Sequence, residues 1–138
     1  MAAKDLIHDA VKNALINDGW TITHDPYTIQ YGSDTLYADL AAELPFAAEQ
    51  NGRKIVVEVK SFTGYSVIQD FKEALGQYLI YLRLLSRIAP EYKLYLAVST
   101  MAYHYDLERA TIRLIMDDYE VSLLVVDLST EKVAEWIR

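Results

Sequence analysis

The chain has 138 residues, 52% of them apolar and 24% charged, enough to bury about two thirds of its unfolded surface without a metal or disulfide staple. It contains no cysteine, which excludes thiolate nucleophiles, zinc-thiolate sites and disulfide frameworks, and suits a reducing cytoplasm. A net charge of -7 argues against a protein whose main work is gripping duplex DNA by counterion release, although carboxylates that await a divalent cation would also make an empty site look acidic.

From Ala3 to Asp18 the apolar residues Leu6, Ile7, Ala10, Val11, Ala14 and Leu15 recur at helical spacing, and Gly19 stands where a C-terminal cap belongs. Asp5, His8 and Asp9 interrupt the opening, so it lacks the apolar core of a secretory signal. No run approaches membrane-spanning length, and the expectation is a soluble protein with no membrane association. Trp20 to His24 and Tyr27 to Tyr31 read as an extended entry and a first strand around an Asp25-Pro26 turn. After Gly32-Ser33-Asp34, residues Thr35 to Ala48 form one arm of a hairpin. Asn51-Gly52 suits its type I′ turn, and Arg53 to Lys60 is the second arm. Pro45 suggests a bulge or edge position in the first arm.

Ser66 followed by Gln69 looks like a capping box opening a long helix through Phe71, Leu75, Tyr78 and Leu82 toward Ile88, stopped by Ala89-Pro90. Leu94 to Ser99 suits a buried strand, Asp106 is placed to cap a helix through Asp118, and Val121 to Asp127 is a second buried strand. A short terminal element ends in Trp136-Ile137. The order is helix, three antiparallel strands, helix, strand, helix, strand. This predicts an α/β fold with a mixed sheet flanked by helices on both faces, in a single domain spanning residues 1–138.

The chemistry concentrates at Glu58 and Lys60. Two residues apart on a strand, they share one face while Val57 and Val59 pack on the other. Burying an unpaired charge on a covered strand costs several kcal/mol, so such a pair implies a partner or a metal. Asp39 and Glu43, four apart, lie on the neighbouring arm. Counting back through a two-residue Asn51-Gly52 turn sets Glu43 opposite Lys60, with both carboxylates toward Glu58. Asp39, Glu58 and the Val59 carbonyl would then be oxygen ligands for Mg²⁺ or Mn²⁺, with Lys60 orienting water or meeting phosphorane charge and Glu43 an extra ligand. The alternative is a solvated ion pair on an edge strand, nearly neutral in stability. The acidic-x-Lys triplet also recurs at Asp70-Phe71-Lys72 and Glu91-Tyr92-Lys93, so the triplet alone decides nothing. Gln77 and Tyr81 share one side of the long helix, where a polar rim is the plainer account of both. His8, His24 and His104 are too dispersed for a local ligand motif. No Gly-rich phosphate loop, nucleophile elbow or HExxH is present. The eleven tyrosines offer a base-stacking or interface surface, though core and rim positions account for most.

The segments Asp18-Gly19-Trp20-Thr21-Ile22-Thr23, Tyr37-Ala38-Asp39-Leu40, Glu58-Val59-Lys60-Ser61-Phe62, Ala74-Leu75-Gly76-Gln77-Tyr78 and Lys93-Leu94-Tyr95-Leu96-Ala97-Val98 closely resemble the XisH-like family over nearly the whole chain. Members look like cyanobacterial controlling factors for excision of the fdxN DNA element. The resemblance implies a restriction-endonuclease-like PD-(D/E)xK fold acting in DNA rearrangement. It sets Asp39, Glu58 and Lys60 in the nuclease motif, with Ala38 where proline is usual, and Gln77 with Tyr81 in a Gln-x-x-x-Tyr pattern. It also implies a small companion protein, XisI. Three readings follow: a Mg²⁺-dependent endodeoxyribonuclease, a non-catalytic accessory module binding a XisI-like partner or a recombinase, and a homo-oligomer of purely structural role.

Overall fold

In the computed structural model, which describes residues 3–44 and 52–138, the chain opens with helix α1 (Ala3–Asn17). Gly19 takes a φ of +95°, and Trp20 N–H reaches back to the Leu15 carbonyl, closing the helix as the glycine predicts. Strand β1 (Thr21–His24) follows, then β2 (Tyr27–Tyr31) and β3 (Asp34–Ala38), which pair with each other as a separate two-stranded ribbon. A bend at Asp39 turns the chain into β4 (Leu40–Leu44), so the predicted first arm is two strands. Next come β5 (Arg53–Val59), α2 (Val67–Ile88), β6 (Tyr92–Ser99), a π-helical turn (Ala102–Asp106), α3 (Ala110–Asp118), β7 (Leu123–Asp127) and β8 (Lys132–Ile137).

The main sheet has the order β1-β4-β5-β6-β7-β8. Strands β5, β6 and β7 run parallel at its centre, flanked by antiparallel β4 and β8. Its faces are covered differently. Ile7, Val11, Ala14 and Leu15 of α1 pack on Ile55, Val57, Val59, Tyr95 and Leu124. On the other face α2, α3 and the β2–β3 ribbon close over Val56, Leu94, Leu96 and Val98. The architecture is a six-stranded mixed sheet between helices, compatible with a restriction-endonuclease-like fold. No described helix is long and apolar enough to cross a membrane.

Two expectations are corrected. β4 and β5 pair from Leu44 opposite Arg53, so Glu43 faces Lys54, six residues short of Lys60. Pro45 and Asn51, which carry the expected bulge and turn, lie outside the described residues. Asp106 caps no helix: it ends the π-helical turn, α3 starts at Ala110, and Ser99 accepts the Ala102 N–H instead.

Candidate functional site

Alternation along β5 separates its side chains. Ile55, Val57 and Val59 enter the α1 core, whereas Val56 enters the α2 core and Glu58 follows on that same side. Glu58 is buried. Lys60, one residue past the strand, continues the face and donates from Nζ to Glu73 Oε2 of α2 at 3.0 Å. The sheet continues to Lys60 through its backbone, whose N–H reaches the Ala97 carbonyl at 3.0 Å. The predicted sharing of a face by Glu58 and Lys60 therefore holds.

Asp39 lies at the bend where the ribbon hands over to β4, and Leu40 opposite Val57 brings it level with Glu58. Each acid is tied to the backbone of the neighbouring strand. Glu58 Oε1 accepts the Asp39 N–H at 3.1 Å, and Asp39 Oδ2 accepts the Val59 N–H at 2.8 Å. Charged acceptors of this kind are about twice as strong as neutral ones, so the exchange fixes both carboxylates where β4 begins and β5 ends. The other Asp39 oxygen, Oδ1, faces α1, 3.9 Å from His8 Nδ1.

A pocket of about 220 Å³ opens between the end of β5 and α2, lined by Glu58, Val59, Lys60, Ser61, Glu73 and Gln77. Asp39 approaches from the β4 side and does not line it. Gln77 enters it one helical turn beyond Glu73. Glu43 is elsewhere: it pairs with Lys54 at 3.6 Å, four strand residues or roughly 13 Å along β4 from Asp39. Among the described residues no group of three or more acidic or imidazole side chains converges as a metal cage.

Electrostatics follow these contacts. The Lys60 ammonium, by hydrogen bond and charge, holds the Glu73 carboxyl below its ordinary value. Burial first, and then the Glu58 and Asp39 charges, push the Tyr81 phenol up to about 12. That hydroxyl donates to the Tyr37 carbonyl at 3.1 Å, tying α2 to β3 two residues before Asp39. Sequence reasoning missed Glu73 and His8. Glu73 sits four residues before Gln77 on one helix face, a spacing that could have found it. His8 Nε2 donates to Asp25 Oδ1 at 3.0 Å while Lys12 Nζ donates to Oδ2 at 2.8 Å. Burial alone would raise the Asp25 carboxyl; Lys12 and His8 together hold it below its ordinary value. The only signal in the sequence is the four-residue step from His8 to Lys12.

A family model described as XisH protein matches residues 1–134 of the chain. Two crystal structures superpose closely. One is an XisH family protein from Nostoc punctiforme, 39% identical, with a TM-score of 0.87 over 97% of this chain and 100% of that one. The other is a fdxN element excision controlling factor protein from Anabaena variabilis, 39% identical, with a TM-score of 0.87 over 97% of this chain and 99% of that one. No curated protein matches.

Proposed function

Because this chain belongs to the XisH family, we propose that it is a controlling factor for excision of a DNA element, acting as a Mg²⁺-dependent endodeoxyribonuclease of PD-(D/E)xK type. One observation carries the reading: Glu58 is braced by the Asp39 N–H and Asp39 by the Val59 N–H, where Lys60 leaves the strand that carries Glu58. Two carboxylates with the Val59 carbonyl make a hard-oxygen donor set. It suits Mg²⁺, which keeps several waters and takes one or two protein carboxylates. When bound, the ion supplies Lewis acidity at the scissile phosphate. The chain's own groups do the rest. Lys60 offers an ammonium to the phosphate oxygen on which negative charge grows, an interaction commonly worth about 3 kcal/mol. Glu73 holds that ammonium at 3.0 Å until substrate takes its place, and Gln77 offers an amide to the same pocket.

Supercoiled plasmid with Mg²⁺ or Mn²⁺ tests this: nicking that needs the metal and disappears in Glu58→Gln and Lys60→Ala is the expected result. The net charge of -7 favours a second reading, a non-catalytic module that docks a XisI-like companion or a recombinase. Absence of nicking even with the companion present would leave that reading alone.

A further inference from the structure

His8 and Lys12, one turn apart on the same side of α1, both donate to the Asp25 carboxylate, His8 Nε2 to Oδ1 at 3.0 Å and Lys12 Nζ to Oδ2 at 2.8 Å. Their helix is firmly seated. Ile7, Val11 and Leu15 pack with Val57 and Val59, the residues on either side of Glu58, so the core sets where the imidazole stands. An ionised carboxylate only accepts, which makes Nε2 the protonated ring nitrogen. The neutral ring then turns the Nδ1 lone pair toward Asp39 Oδ1, 3.9 Å away. Asp39 Oδ2 is committed to the Val59 N–H, so Oδ1 is the oxygen left to bind.

A separation of 3.9 Å is too long for a hydrogen bond, and two electron-rich atoms turned toward each other repel. It is within the span of one ion, because two ligands each about 2.1 Å from a divalent cation stand at most about 4.2 Å apart. An imidazole that gives one ring N–H to a carboxylate and presents its other nitrogen is built as metal-binding histidines are, with the carboxylate fixing tautomer and ring orientation. We infer that His8, oriented by Asp25, shares a divalent cation with Asp39, and that this nitrogen ligand makes the site prefer a first-row transition ion, Mn²⁺ or a later one, over Mg²⁺. The inference rests on the nuclease reading above, to which it adds a ligand on α1 and a class of metal. Mg²⁺ is a hard ion that draws its affinity from oxygen, so the carboxylates serve it and the imidazole adds little. Affinity for sites containing nitrogen rises from Mn²⁺ through Fe²⁺ and Co²⁺ to Ni²⁺, which makes Mn²⁺ the most demanding probe of the series. Asp25 is a positioning residue: it acts on the ion through His8.

The test needs no DNA. The whole chain is titrated with Mn²⁺, the free ion is read by its electron paramagnetic resonance, and Mg²⁺ is measured by competition. Electron spin echo of the loaded protein then reports whether a ring nitrogen is bound to Mn²⁺. Wild type is compared with His8→Ala, Asp25→Ala, Glu58→Gln and His24→Ala, the last a histidine of β1 that meets Thr23 and Tyr27. Wild type and His24→Ala bind Mn²⁺ more tightly than Mg²⁺ and show imidazole modulation. His8→Ala loses the modulation and roughly tenfold to a hundredfold in Mn²⁺ affinity, while its Mg²⁺ affinity stays within about threefold of wild type. Asp25→Ala weakens Mn²⁺ by about tenfold and Mg²⁺ hardly, a selective loss that a loosened α1 would not give. Equal Mn²⁺ affinity of His8→Ala and wild type, or modulation that persists in His8→Ala, overturns the inference. So does a parallel loss of both ions in His8→Ala, the mark of a purely structural ion pair. If His8→Ala binds Mn²⁺ as wild type does while Glu58→Gln releases it, the nitrogen ligand fails and the carboxylate site of the nuclease reading stands. If wild type binds neither ion, the nuclease reading loses its metal along with this inference.

Discussion

Tyr81→Phe separates two roles for one hydroxyl. The phenol donates to the Tyr37 carbonyl at 3.1 Å in a part-buried setting, where a neutral hydrogen bond contributes about 1 kcal/mol net. At pH 7 the variant should therefore unfold roughly half a molar earlier in urea. The difference depends on pH in a calculable direction. The folded phenol titrates at about 12 against an ordinary 10.0, so its stabilisation is complete below pH 10 and is lost as pH rises through 12. At pH 11 one unit of that window has been crossed, about 1.4 kcal/mol at full weight. The phenol sits at the margin of the core and water screens it, so about half, some 0.7 kcal/mol, is the working figure. The gap between wild type and Tyr81→Phe should shrink from about 1 to about 0.3 kcal/mol between pH 7 and pH 11, while the other ten tyrosines cancel in the comparison. Because the hydroxyl is committed to Tyr37, nicking should survive the substitution. A gap that is constant or wider at pH 11 refutes the electrostatic reasoning. Lost nicking at unchanged stability would hand the hydroxyl to substrate, as the Gln-x-x-x-Tyr pattern implies.

Tyr78→Phe should destabilise more, by about 2 kcal/mol, because the buried Ser122 N–H donates to the Tyr78 hydroxyl at 3.0 Å and would be orphaned; urea unfolding at neutral pH reads it. Lys60→Ala should let the Glu73 carboxyl rise toward its ordinary value, followed by carbon NMR of the labelled glutamate during acid titration; no change would mean that the pair does not persist in solution.

The sequence revealed β5 and its two faces because an apolar strand broken by charges at alternate positions admits one arrangement. The long helix was equally readable from its stripe and from Ser66. The register between β4 and β5 was hidden. Leu40, Ala41 and Ala42 are all buried, so no alternation marks which way the strand slides, and a two-residue turn at Asn51-Gly52 set Glu43 wrongly against Lys60. Asp39 reaches Glu58 through register fixed by packing on both faces, which no local pattern encodes. Glu73 and His8 enter through helices docked from opposite sides of the sheet, and such neighbours appear only once the layers are assembled.

The crossed attachment of Glu58 to the Asp39 N–H and of Asp39 to the Val59 N–H gives each acid two jobs. An alanine at either position removes a prospective cation ligand and also unfastens a strand end, so lost activity in such a variant would be ambiguous. Amide isosteres retain the acceptor oxygen and discard the charge. Asp39→Asn and Glu58→Gln are therefore the substitutions that interrogate chemistry without loosening the frame that presents it.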